Sequence, residues 1–222
     1  MKTVSFSTLL HAFFHEWLVQ QRNVSHHTIL SYRDTWRLFL RFVSQRQTRP
    51  VATLSLPQLD AGEVLAFLNH IETERHVSIG TRNCRLAALH SFFAFVGQRE
   101  PLAVSQCAEI LRIPTKKSAR PAMCYLDADE ITAILKQPNR STPEGQRDHA
   151  LLAFLYNTGA RIQEALNVCP QAIRFESPPQ VELFGKGRKE RICPLWPETI
   201  DLLKALRKRQ PGADDAPIFI NC

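Results

Sequence analysis

Two short stretches hold residues whose types and spacing suit chemistry on an anion. The first is Asn157-Thr158-Gly159-Ala160-Arg161-Ile162-Gln163-Glu164-Ala165-Leu166, where an arginine and a glutamate stand three residues apart. The second is Leu183-Phe184-Gly185-Lys186-Gly187-Arg188-Lys189-Glu190-Arg191-Ile192-Cys193-Pro194-Leu195, where Lys186 sits between two glycines. A guanidinium fork matches the planar, bidentate geometry of a carboxylate or a phosphate. An arginine opening a helix is locally unfavourable, because the helix N-terminus already carries partial positive charge, so it calls for an anion. Glu164 lies on nearly the same face and offers one as an i,i+3 surface pair; a phosphate is the other candidate.

The neighbouring elements decide how these side chains are held. Ala150, Leu151, Ala153, Phe154 and Leu155 form an apolar helical run, which Gly159 ends by taking a positive φ that other residues resist. Arg161 then falls in the first turn of the next helix. Strand-like segments on either side of Gly185-Lys186-Gly187 place Lys186 on a tight hairpin. Three short strands, at about 172–175, 181–184 and 191–194, make a small antiparallel sheet, and a helix from about Pro197 to Arg209 follows. Ahead of them Asp127-Ala128-Asp129-Glu130 precedes Ile131, Ile134 and Leu135 as a capping box, so its acids serve as caps rather than metal ligands.

The first half of the chain reads as four helices. One spans about 4 to 22, with Leu9, Leu10, Phe13, Phe14, Trp17 and Leu18 at helical spacing; His11 and His15 share its surface without further metal-ligand partners. Ser25 caps a second helix lined by Ile29, Tyr32, Trp36, Phe39, Leu40 and Val43. Beside that apolar face run Arg33, Arg37 and Arg41 at i, i+4, i+8, a row suited to a phosphate backbone and equally to a solvated flank. A third helix, about 60 to 74, turns Val64, Leu65, Phe67, Leu68 and Ile71 inward, and a fourth, about 78 to 96, buries Ile79, Leu86, Leu89, Phe93 and Val96. Thr81, Arg82 and Arg85 stand near its start on a side read as polar. Residues 113 to 123, polar, basic and bounded by prolines, read as a linker between domains 1–112 and 124–222.

Composition narrows the classes of function. The 222 residues are 44% hydrophobic and 22% charged, which is ordinary for a chain with a sizeable core, and no apolar run reaches the length of a membrane span. Met1 to Leu10 shows neither the continuous apolar core nor the cleavage site of a signal peptide, so the expected location is the cytoplasm. Six scattered cysteines without a C-x-x-C pair suggest neither a zinc site nor a disulfide framework. The net charge of +7 is uneven: residues 1–120 carry 15 Lys and Arg against 8 Asp and Glu, whereas residues 121–222 carry 13 of each. A basic half joined to a neutral half points to a polyanion-binding module, although solubility alone accommodates a surplus of this size.

Thr158-Gly159-Ala160-Arg161-Ile162-Gln163-Glu164, followed after about twenty residues by Phe184-Gly185-Lys186-Gly187-Arg188-Lys189-Glu190-Arg191-Ile192-Cys193-Pro194-Leu195, resembles the catalytic domain of the tyrosine recombinase (phage integrase, Xer-like) family. The run from Ser25 to Phe42 is similar to the second helix of that family's N-terminal core-binding domain. The resemblance implies a mainly α fold with a small antiparallel β-sheet: a four-helix, SAM-like core-binding domain, then the first part of an α+β catalytic domain. It implies metal-independent, cofactor-free strand breakage and rejoining of double-stranded DNA, carried out with other recombinase subunits on DNA and away from membranes. In that scheme Arg161 binds the scissile phosphate, Lys186 acts as general acid toward the departing 5′ oxygen, and Glu164 orients Arg161. Arg188 and Lys189 meet neighbouring phosphates, and Arg33, Arg37, Arg41, Thr81, Arg82 and Arg85 contact DNA from the first domain. The family's His-x-x-Arg box and tyrosine nucleophile follow the hairpin, whereas His149 and Tyr156 here are the last of their kinds and precede Arg161. The expectation is therefore a chain that stops within the catalytic domain and is inactive alone: an integrase, transposase or Xer-type fragment. A non-catalytic remnant that occupies recombination sites is the alternative.

Overall fold

A computed structural model describes residues 4–118, 124–185, 189–209 and 214–220. The chain divides into two compact units, residues 1–121 and 122–222.

The first unit is helical. α1 (Phe6–Ala12) begins at Ser5, whose hydroxyl accepts from the Thr8 backbone N–H, and continues as a π-helical segment, Phe13–Gln21, closed by the Arg22 N–H donating five residues back to Trp17. α2 (His26–Arg46), α3 (Ala61–Thr73) and α4 (Ile79–Arg99) start at Ser25, Asp60 and Ser78, each accepting from the backbone N–H three residues on. α5 (Val104–Leu111) is a fifth helix that sequence reading left out. It follows a proline-led turn and has no side-chain cap at Ala103, so the usual start signal is missing.

An aromatic core holds these helices together. Phe13, Trp36, Phe39, Phe67, Phe92, Phe93 and Phe95 are all essentially inaccessible. Phe92 lies edge-on to Trp36 at 4.4 Å and to Phe13 at 5.3 Å, geometry that favours the ring quadrupoles. Burying Trp36, Phe39, Leu40 and Val43 leaves the flank of α2 that carries Arg33, Arg37 and Arg41 facing solvent. Two expectations change, Leu65 having been read as inward and Arg82 as lying on a polar side. Leu65 is 42% exposed, and Arg82 is buried.

The first six residues of the expected linker belong to the first unit. Ile113 is buried; Asn83 donates to the Lys116 carbonyl at 2.8 Å and accepts from its N–H at 3.0 Å; and Lys116 Nζ meets both Glu72 oxygens at 2.7 and 2.9 Å.

In the second unit α6 (Ala128–Lys136) opens with the expected capping box, Asp127 accepting from the Glu130 N–H while Glu130 accepts from the Asp127 N–H. α7 (Pro143–Thr158) ends at Gly159, whose φ of 59° and ψ of 25° are left-handed and whose N–H caps Leu155. A single-turn helix, α8 (Ile162–Leu166), follows. β1 (Ile173–Arg174), β2 (Gln180–Phe184) and β3 (Glu190–Pro194) form an antiparallel sheet in the order β1-β2-β3, and α9 (Pro197–Arg209) packs against α7. Ala150, Phe154, Ala165, Val181, Leu183 and Leu203 lie at the centre of this unit's core.

Candidate functional site

The backbone turn at Gly159 places Arg161 one position ahead of α8, at its N-cap, rather than inside the first turn. There its φ of −68° and ψ of 146° are extended, and its backbone N–H points along the helix toward Glu164. Glu164 Oε2 accepts that N–H at 3.0 Å, while Glu164 Oε1 accepts from Arg161 Nη1 at 2.7 Å. The carboxylate is buried, with 6% of its side chain accessible, whereas 68% of the Arg161 side chain is exposed. One edge of the guanidinium is thus fixed on a buried anion and the remainder faces outward, free to bind a second anion.

Arg191, on β3, supplies a third bond to the same carboxylate, Nη2 donating to Glu164 Oε2 at 2.7 Å. Sequence reading passed over this residue. The pairing register contained the signal: Leu183 pairs with Arg191 across β2 and β3, cross-strand partners share a face, and Leu183 is buried. Arg191 therefore projects to the inner side of the sheet, toward α8. The Arg191 bond, then the Arg161 backbone N–H and the Arg161 side chain, hold the Glu164 carboxyl well below its ordinary 4.5, at about 2. The carboxylate in turn raises the pKa of Arg191.

Gly185 lets the hairpin approach. A Cβ at this position would stand 3.0 Å from Glu164 Oε1 and 3.4 Å from the Lys189 carbonyl, tighter than ordinary contact. The Gly185 N–H donates to that carbonyl at 2.7 Å and closes the hairpin base beside Glu164. Lys189 itself is exposed. Lys186 and Arg188 lie outside the described residues.

The sequence-predicted residues of the first unit separate into two groups. Arg33, Arg37, Arg41 and Thr81 are exposed. Arg85 is half-buried and reaches from α4 to α2, donating to Thr35 Oγ1 at 3.4 Å; burial, then nearby Arg75, lowers its pKa. Arg82 corrects the reading of the α4 face as polar. Its side chain is 5% accessible and ion-paired with Glu72 at 3.4 Å, a carboxylate shared with Lys116. Helical spacing explains the burial, because 79, 82, 86, 89, 93 and 96 form one i, i+3, i+7 stripe and Arg82 falls among the core positions. Tyr156 is 50% exposed and stands edge-on to Trp196 at 5.4 Å. Among the described residues no group of three or more His, Cys, Asp or Glu is arranged to hold a metal ion, and no helix is long and apolar enough to cross a membrane.

A helical unit precedes an arginine–glutamate turn and a three-stranded sheet, and comparison with known proteins places this arrangement among the tyrosine recombinases. Residues 12–100 match the phage integrase N-terminal SAM-like domain, and residues 124–221 match the phage integrase family. A protein of Sinorhizobium fredii named as an integrase/recombinase, y4rD, is 38% identical over 215 residues, covering 96% of this chain and 76% of the relative. A second from that organism, y4rC, is 37% identical over 218 residues, covering 98% of this chain and 66% of the relative. The XerH site-specific recombinase, crystallised on a palindromic difH substrate, superposes with a TM-score of 0.67 at 23% identity, covering 90% of this chain and 58% of XerH. The chain belongs to the phage integrase (tyrosine recombinase) family, and it spans about three quarters of the length of y4rD and 66% of that of y4rC.

Proposed function

We propose that this chain binds double-stranded DNA in site-specific recombination or integration, with Arg161 taking a DNA phosphate in the second unit. The observation that carries the proposal is the guanidinium that is anchored along one edge to a buried carboxylate and yet two-thirds exposed. An anchored guanidinium loses little further freedom on meeting a phosphate, and its charge acts on the non-bridging oxygens, where negative charge builds as the phosphorus becomes pentacoordinate. Glu164 orients Arg161 and moves no proton, since a carboxyl held at about 2 stays ionised at neutral pH. Lys186 is proposed as general acid toward the 5′ oxygen, on the family resemblance and on the closure of the hairpin base beside Glu164. Lys189, with Arg188, is proposed to meet neighbouring backbone phosphates.

In the first unit the proposed DNA surface is the exposed row Arg33, Arg37 and Arg41, with Thr81 and Arg85 beside it; Arg82 is left out because Glu72 already neutralises it. Tyr32, Tyr125 and Tyr156 are not proposed as nucleophiles, and no catalysis is proposed for residues 1–222 alone. Other recombinase subunits are the proposed partners on DNA. The XerH and λ integrase structures similar to this chain were each obtained on DNA.

The test is binding of the 222-residue polypeptide to a fluorescein-labelled 30-base-pair duplex of mixed sequence. Arg161→Ala should weaken it roughly tenfold, the scale of one charge-assisted hydrogen bond, and flatten the salt dependence by about one counterion. An Arg161→Ala protein that binds as tightly, with the same salt slope, would overturn the assignment.

A further inference from the structure

Glu164 is held from two sides. From α8 come the backbone N–H and one guanidinium N–H of Arg161; from β3 comes Arg191 Nη2. Arg161 and Glu164 are neighbours on one short turn, so their bond by itself leaves the pair free to swing together. Arg191 is fixed on a paired strand, with its cross-strand partner Leu183 in the core. It is the bond through which the sheet sets the orientation of the carboxylate, and through the carboxylate that of Arg161.

The hairpin base lies close against the same group. Gly185 stands where a Cβ would crowd Glu164 Oε1 at 3.0 Å, and its N–H closes onto Lys189. A carboxylate that swung away from Arg191 would lose its place against Gly185 as well. The arginine turn and β3 therefore meet at one buried anion beside Gly185, with Arg191 as its clamp on the strand side.

We infer that Arg191 is a positioning residue that acts through Glu164 to hold Arg161 for phosphate binding, an inference that rests on the DNA-phosphate reading above. Two features favour this over a direct contact with DNA. The Arg191 side chain is 37% accessible against 68% for Arg161, and its Nη2 is already committed to Glu164. Without Arg191, Glu164 Oε2 keeps only the Arg161 backbone N–H, and a buried carboxylate short of donors rotates toward solvent.

A double-mutant cycle on the labelled 30-base-pair duplex separates the roles. Arg191→Met should weaken binding by about the same factor as Arg161→Ala, roughly tenfold, and should add nothing measurable in the Arg161→Ala background. Arg191→Lys, which keeps one donor and the charge, should restore part of the loss. Independent, multiplying losses in the double variant would show a direct DNA contact and overturn the inference. The second arm needs no DNA. Rotation of the Arg161 guanidinium, followed by 15N NMR, should be slow in the parent and fast in Arg191→Met; unchanged slow rotation would equally overturn it. A parent chain that ignores the duplex but shows the NMR change would refute the DNA reading and leave the positioning role standing. If Arg191→Met fails to fold, Arg191→Lys carries both arms: faster Arg161 rotation and weakened binding that vanishes without Arg161 support the inference, and parent-like values in both overturn it.

Discussion

At the scale of single residues, the site is built around one carboxylate, and its charge state is tied to stability. Glu164 titrates near 2 in the folded chain and near 4.5 when freed. A depressed carboxyl stabilises the fold above the unfolded value and loses that contribution as pH falls through the window from about 4.5 to about 2. Thermal melting between pH 2 and 6 should therefore show the wild type more stable than Glu164→Gln at pH 6, with the gap closing as the solution is acidified. A gap independent of pH would contradict the assigned bonds. The pairing of Arg161 with Glu164 was legible from type and spacing, whereas their expected roles toward a phosphate came from the family resemblance. Arg191 was not, because its role depends on strand register, and Arg82 was misplaced because its charge outweighed its position on the apolar stripe of α4.

Among the elements, close backbone approach decides which glycines matter. Gly145 lies in the first turn of α7, where a Cβ would come within 2.0 Å of the Asn139 carbonyl oxygen. No rotamer relieves a clash with backbone, so Gly145→Ala should destabilise the second unit by about 3 kcal/mol or more. Chemical denaturation checks this, and a loss below about 1 kcal/mol would show that the turn at 139–142 yields. Caps made most elements readable: Ser25, Asp60, Ser78 and Asp127 announce α2, α3, α4 and α6, and Gly159 announces the end of α7. α5 carries no such signal, and the widened turns of Phe13–Gln21 have none either, since the same apolar spacing suits an ordinary helix. The start of the expected linker looked free because its anchors, Asn83 and Glu72, lie 33 and 44 residues from Lys116.

For the whole molecule, the two units have separate cores and each matches its own part of the recombinase family. The N-terminal excess of charge agrees with the exposed row on α2, and Arg161 adds one outward cation from the second unit. If all four meet phosphates, each contact releases close to one counterion, and the affinity of the 222-residue chain for duplex DNA follows a log–log salt slope of about −3.5 or steeper. The most direct measurement is that slope, by fluorescence anisotropy on the 30-base-pair duplex, for the parent and for the variant with Arg33, Arg37 and Arg41 all changed to Ala. The account predicts a steep parent slope that the triple variant flattens by up to about three counterions. A shallow parent slope, or a triple variant with unchanged affinity and slope, would contradict it.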